Sequence, residues 1–140
     1  MTRKALVLDA NILIRAVLGQ HVRNLIFRHA ETILFFAPDI AWADARKYLP
    51  GLLEKRGVAP IAVLTVLDHL ATVIQRLDAG LYAGKKEEAC RRIAERDIDD
   101  WPILACALIL DCPIWSEDQD FFGTGVAVWN SRLVHLYLES

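Results

Sequence analysis

Apolar residues fall along this chain in short unbroken blocks and in longer stretches with helical spacing, and the two kinds alternate. Residues 5–8, Ala-Leu-Val-Leu, are a run of strand formers too short for a helix, the pattern of a strand covered on both faces. Asp9 ends the run. Asn11 is a good N-cap for a helix over residues 12–18, which Gly19 closes. A second short helix is expected over 22–29 and a second strand over 32–37. Asp39, after Pro38, reads as the cap of a helix to residue 49. Pro50-Gly51 is expected to kink or break it, with residues 52–56 continuing to Gly57.

The next helix is expected to start at Pro60 and run to about residue 77, followed by a turn region at Gly80 and Gly84. Residues 85–95 form a charged amphipathic helix. Asp99 or Asp100 caps a very apolar helix, Trp101–Leu110, whose Pro102 is tolerated in the first turn. A short strand over 113–116, a loop with Gly123 and Gly125, and a strand around 126–129 follow. The tail, 133–138, alternates apolar and polar residues and fits either a final strand or a short helical turn. Strands alternating with helices point to an α/β fold with a mainly parallel sheet.

The 140 residues fit a single domain, 1–140, which can bury a core without disulfides or structural metal. Hydrophobic residues make up 54% and charged residues 24%, a globular composition. No apolar stretch reaches the roughly 18–20 residues that span a bilayer, so no membrane association is expected. The basic start followed by Ala-Leu-Val-Leu is too short for a signal peptide and meets Asp9 at once, so the expected location is the cytoplasm. Three cysteines, Cys90, Cys106 and Cys112, do not make a disulfide framework, and Cys106 sits in an apolar run as a small hydrophobe. The four histidines are scattered without zinc-site spacing.

Net charge is −2, which does not suggest a general polyanion binder. Its distribution says more. Between Glu95 and Asp120 stand eight carboxylates and one base, Arg96, whereas the rest of the chain has 15 bases and 10 acids. Two of the strongest predicted strands end in acids: Asp9 follows the first, and Glu117-Asp118-Gln119-Asp120 follows the strand at 113–116. Ligands of open α/β sheets bind beyond the carboxyl ends of strands, so these acids can share one crevice. Asp100 opens an apolar helix that can present it there, and Asp44 lies one and a half turns into the helix after the second strand. Taken singly, each has a plain structural explanation, as a turn, a cap or a solvated acid. Their joint placement is what carries weight.

Two like charges about 4 Å apart repel by roughly 4 kcal/mol at an effective dielectric of 20. A crevice of three or four carboxylates therefore takes up protons or a cation. Oxygen ligands without His or Cys suit Mg²⁺ or Mn²⁺. Such ions engage phosphate oxygens and activate water, which points to metal-assisted phosphodiester hydrolysis.

At this point the residues match a family. Leu8-Asp9-Ala10-Asn11-Ile12-Leu13 resembles the opening motif of PIN domains. Arg96-Asp97-Ile98-Asp99-Asp100-Trp101-Pro102-Ile103-Leu104-Ala105 resembles their third motif, and Ile114-Trp115-Ser116-Glu117-Asp118-Gln119-Asp120-Phe121 their fourth. Order, spacing and length agree over nearly the whole chain. The resemblance implies a three-layer α/β/α sandwich and Mg²⁺- or Mn²⁺-dependent RNA cleavage. Many small bacterial members are toxins of type II toxin–antitoxin pairs, so it also implies a homodimer and a small antitoxin partner. Carried over, Asp9, Asp44, Asp100 and Asp118 are the catalytic set, with Asp9, Asp100 and Asp118 on the metal. Asn11 matches the small polar residue that orients the first acid, Ser116 stands where the family often has Thr, and Asp120 is an auxiliary acid or a loop cap. Asp44 stands where the family normally carries Glu; one methylene shorter, it suits a water-bridged contact.

Further readings compete or add detail. A haloacid-dehalogenase-type phosphatase also has Asp after its first strand but wants a second Asp two residues on, where this chain has Asn11. A catalytically degenerate PIN domain that only binds RNA or protein takes its support from Asp44. Trp42 and Trp101 flank proposed acids and read as core before base-stacking platforms. Arg15, Arg46 and Lys47 are candidate phosphate contacts, solvated by default. Lys85, Lys86, Arg91 and Arg92 read as a solvated helix face with Glu87–Arg91 and Glu88–Arg92 pairs. Gly123-Thr124-Gly125 reads as a tight turn with an aromatic anchor rather than a phosphate loop.

Overall fold

The computed structural model describes residues 3–59 and 61–140. Five strands form one sheet, all parallel, in the order β3-β2-β1-β4-β5. They are β1 (Lys4–Leu8), β2 (Ile33–Pro38), β3 (Ile74–Leu77), β4 (Ile114–Trp115) and β5 (Val128–Trp129). The helices are α1 (Ala10–Leu18), α2 (Gln20–Arg28), α3 (Asp39–Lys55), α4 (Ile61–Leu70), α5 (Ala79–Tyr82), α6 (Lys86–Ile93), α7 (Trp101–Leu110) and α8 (Val134–Leu138).

The apolar blocks account for the centre of the sheet. Leu6, Val7, Leu8, Phe35, Ile114 and Trp115 are fully buried, because β1 lies between two neighbours and beneath helices on both faces. The connections from β1 to β2 and on to β3 step one way across the sheet, and the connection from β3 to β4 returns to the other side of β1. Right-handed crossovers then put helices on opposite faces. Accordingly α1 packs with α2, α3 and α4, whereas α7 packs with α5 and α6. The result is the expected three-layer α/β/α sandwich. α7 is apolar on every side, and Pro102 through Ala107 are buried without interruption.

Several expectations need correction. Asn11 is not the cap of α1: Asp9 is, accepting the Ala10 N–H, and Asn11 lies inside the helix with its amide free for other work. Pro50 does not break α3, which runs through it. Leu49 and Leu53, buried on either side of an exposed Pro50, hold the helix in place against the loss of one backbone hydrogen bond. The expected helix to residue 77 ends at Leu70, and Ile74–Leu77 is the edge strand β3. Its middle residues, Gln75 and Arg76, are exposed, so no apolar block announced it. The expected start at Pro60 lies outside the described residues. The 80–84 turn is instead α5 followed by a 3-10 turn, Ala83–Lys85. The tail takes the helical alternative, as α8. No helix among the described residues is long and apolar enough to cross a membrane.

Candidate active site

Strand order reverses at β1, with β2 on one side and β4 on the other, and the crevice beyond their carboxyl ends is the topological switch point. Asp9 leaves β1 there and Ser116 leaves β4. The Asp9 N–H donates to the Trp115 carbonyl at 3.1 Å, so the last backbone bond of the pairing fixes where the Asp9 side chain starts.

Asp9 is buried at 7% exposure yet well supplied with donors. Its Oδ1 accepts the Ala10 N–H at 2.7 Å. Its Oδ2 accepts the Ser116 hydroxyl at 2.7 Å and the Asn11 amide at 3.3 Å. The Asn11 amide also donates to Ser116 Oγ at 3.3 Å, and Asn11 Oδ1 accepts the Glu117 N–H at 3.3 Å. Ser116 Oγ in turn accepts the Asp118 N–H at 2.9 Å. Asn11 and Ser116 thus bolt the first acid to the segment that carries the fourth. Glu117 extends the brace by accepting the Ser131 N–H at 2.7 Å, and the Trp115 indole donates to Ser131 Oγ at 3.1 Å.

Asp118 caps a 3-10 turn, Gln119–Phe121, by accepting the Asp120 N–H at 2.9 Å. Phe121 is fully buried and anchors that turn, as expected for the segment before Gly123 and Gly125. Asp100 ends a second 3-10 turn, Ile98–Asp100, at the start of α7. Capping of that turn is done by Asp97, which accepts the Asp99 N–H at 3.1 Å, and Asp100 makes no side-chain cap bond. Its Oδ2 is buried and has no hydrogen-bond partner among the described residues.

The acids act on one another. Burial raises the Asp9 pKa; the Ser116 and Ala10 hydrogen bonds oppose this, and the charges of Asp118 and Asp44 add to it. Asp100 is pushed up to about 7, first by burial, then by the charges of Asp9, Asp97 and Asp118. Asp120 is also raised, by desolvation and then by Asp118. Carboxyl oxygens of Asp97, Asp100 and Asp120 lie within 4.8 Å of one another. Asp9, Asp44, Asp100, Asp118 and Asp120 therefore belong to one electrostatic cluster, with Asp44 half-buried at its margin and without a side-chain hydrogen bond among the described residues.

The expected cap is Asp99 or Asp100, and the expected site gives Asp97 no place. Asp97 caps the 3-10 turn, and its carboxyl also joins the cluster; the three-residue spacing from Asp100 was the available signal. The expectation of core packing holds for Trp42, and Trp101 is half-buried against the core. Trp42 is 3% exposed, in the core. Trp101 packs on Tyr82 at 5.7 Å with the Lys86 ammonium 5.1 Å over its ring. The Tyr82 hydroxyl donates to Asp39 at 2.5 Å, which links α5 to the start of α3. Arg15 lines a cavity at the far end of α1, Arg46 lines a groove beside α4, and Lys47 lies over Tyr48. On α6 the Glu88–Arg92 pair forms at 2.6 Å, with Lys85–Glu88 at 3.5 Å; no Glu87–Arg91 pair forms among the described residues.

These residues fit a hard divalent cation. The donor set is carboxylate oxygen throughout, one oxygen of Asp100 is buried without a hydrogen-bond partner among the described residues, and burial, with like charges adding to it, holds the Asp9 and Asp100 carboxyls above their ordinary range. A bound cation would relieve the last two conditions together.

A sequence model of the PIN domain matches residues 7–139. No curated protein sequence matches at a significant level. Among solved structures, PAE2754 from Pyrobaculum aerophilum is similar with a TM-score of 0.72 and 14% identity, covering 98% of this chain and 90% of that one. VapBC2 from Rickettsia felis, bound to a DNA fragment from its promoter, gives 0.68 and 13%, covering 90% and 98%. FitAB bound to the IR36 DNA fragment gives 0.56 and 22%, covering 90% and 94%. At such identities the likeness is one of fold.

Proposed function

Because the chain belongs to the PIN-domain family, we propose that it is a metal-dependent endoribonuclease, hydrolysing RNA phosphodiesters with Mg²⁺ or Mn²⁺. The observation that carries this reading is the buried oxygen of Asp100, which has no hydrogen-bond partner among the described residues and feels the charges of Asp9, Asp97 and Asp118. A buried carboxylate oxygen without a donor is costly unless a cation covers it.

In this reading Asp9, Asp100 and Asp118 hold the cation, which lowers the pKa of water and offsets charge on the phosphate when bound. Asp9 is fixed by three donors, so its carboxylate needs no rearrangement to serve as a ligand. Asn11 and Ser116 position Asp9. Asp118 has one oxygen engaged with the Asp120 N–H, which leaves the other to orient the attacking water or take its proton. Asp44, with its shorter reach, contributes charge or a water-bridged contact, and Asp97 and Asp120, whose carboxyl oxygens lie within 4.8 Å of that of Asp100, add donors beside it. Water attacks phosphorus as its proton passes to a carboxylate, the P–O3′ bond breaks and the departing 3′-oxygen takes a proton from solvent, giving 5′-phosphate and 3′-hydroxyl ends.

The reading extends to the toxin of a type II toxin–antitoxin pair, with a small antitoxin, homodimerisation and a cytoplasmic location. Solved relatives named VapBC and FitAB with DNA support a partnered state. So does an apolar groove formed by Pro50, Ile61, Val63, Leu64 and Leu67, where Ile61 is 75% exposed and a protein partner would cover it.

Purified protein is incubated with RNA and Mg²⁺ or Mn²⁺, with and without chelator, beside Asp9→Asn. Cleavage that survives both chelator and substitution would defeat the mechanism. Absence of divalent-ion binding at millimolar concentration would favour a degenerate, binding-only PIN domain.

A further inference from the structure

At the opposite end of α1 from Asp9 the surface carries a second concentration of charge, of the other sign. An open cavity of about 420 Å³ is lined by Arg15, Leu18, Gly19, His21, Val22 and Arg56. Three elements supply its basic groups: Arg15 from the last part of α1, His21 from the start of α2 and Arg56 from the end of α3. Among the described residues no acid lines it.

All three side chains are exposed, and among the described residues none enters an ion pair. That sets them apart from Arg76 and Arg92, which Asp78 and Glu88 neutralise. Arg23, nearby in α2, spends its guanidinium on the Ala16 and Val17 carbonyls, covering the negative end of α1. Arg15 and Arg56 have no such employment among the described residues. Two guanidinium groups facing one cavity without a counter-charge repel each other, the mirror image of the carboxylates in the active site. An anion between them removes the repulsion, and phosphate oxygens match the guanidinium fork better than a single point acceptor does.

We propose that this cavity is a phosphate subsite that grips the backbone of the RNA substrate away from the cleavage point, an inference that rests on the nuclease reading. Arg15 stands six residues beyond Asp9, a rise of about 9 Å along α1. That offset is a few nucleotides at most, so one strand can lie on both sites. The acidic crevice repels a polyanion, and the subsite supplies the attraction that the crevice lacks. The contact is to backbone only, so it adds affinity and salt dependence and no sequence preference.

The experiment measures binding of a fluorescein-labelled, mixed-sequence single-stranded oligoribonucleotide in chelator, where nothing is cut, across a salt series. The Arg15→Gln, Arg56→Gln double variant is expected to bind about tenfold more weakly at low salt. The slope of log affinity against log salt should fall by about 0.7 for each phosphate that the variant no longer neutralises. Its melting temperature should match the parent, because both side chains are exposed and outside any ion pair among the described residues. Arg76→Gln, already neutralised by Asp78, should leave both readings unchanged. RNA affinity and slope unaltered in the double variant would overturn the proposal. So would loss of polyglutamate-peptide binding with RNA binding intact, which would assign the cavity to an acidic protein segment. Protein that grips RNA here but cuts none retires the nuclease reading and leaves the subsite standing; protein that cuts RNA with Arg15 and Arg56 dispensable does the reverse.

Discussion

The Ser116 hydroxyl donates to Asp9 Oδ2 at 2.7 Å, across 107 positions of sequence. The same oxygen accepts the Asp118 N–H, so one small side chain couples the first acid of the site to the fourth. The coupling exists because β1 and β4 are adjacent in the sheet and both end at its switch point.

Ser116→Ala removes a donor from a buried carboxylate and an acceptor from the Asp118 N–H. A hydrogen bond to a charged group contributes about 1.5–3 kcal/mol, and the loss in chemical denaturation should fall in that range. Mn²⁺ affinity measured by calorimetry should drop as well, because Asp9 loses a group that lowers its pKa. Ser116→Thr keeps the hydroxyl and should retain most of both. Equal losses in Thr and Ala would point to packing rather than the hydroxyl.

Asp44 sits at the edge of the cluster, acting on Asp9 through charge. Asp44→Asn should reduce RNA cleavage by about 10–100-fold, as for a group that supports a metal site without anchoring it. Asp9→Asn should cost more. Asp44→Glu lengthens the reach by one methylene and should bind Mn²⁺ more tightly than the parent. A titration in which it binds more weakly would remove Asp44 from the metal environment.

The metal-free protein should lose stability as pH rises. Asp100 has a folded-state pKa of about 7 against an ordinary value of 3.8. Between these values the unfolded chain gives up its proton while the fold keeps it, so each step up in pH favours unfolding. Melting temperature in chelator should fall from about pH 4 to about pH 7 and then level. Millimolar Mn²⁺ should flatten the decline, because the cation replaces the proton. Metal-free curves that rise across this window would contradict the burial of Asp100.

Gly125 has a φ of +87°, and a Cβ there would lie 2.7 Å from Arg92 Nη1. That guanidinium also holds the Thr124 carbonyl at 2.9 Å and Glu88 at 2.6 Å. Gly125→Ala should therefore destabilise the fold by about 1–2 kcal/mol in chemical denaturation, through backbone strain and displacement of Arg92. RNA cleavage at a temperature well below melting should remain near the parent level, since the glycine is not among the acids.

The sequence alone determined the elements whose pattern is locally sufficient. An unbroken apolar run such as Ala-Leu-Val-Leu can only be satisfied between two covered faces, and an all-apolar helix such as α7 only inside the molecule. Acids directly after such strands and at the head of such a helix could be named for the same reason, and the motif register joined them. What depends on distant partners was settled by the tertiary structure. β3 is a strand because β2 offers an edge, although Gln75 and Arg76 face solvent. α3 passes through Pro50 because Leu49 and Leu53 are buried. Asn11 serves Asp9 and Ser116 instead of a helix end because β4 arrives beside β1. Arg15 reads as solvated surface until α3 brings Arg56 to the same cavity. Local patterning fixes which groups are buried or exposed; only the sheet order decides which of them meet, because that is set by long-range pairing and packing that no window of sequence contains.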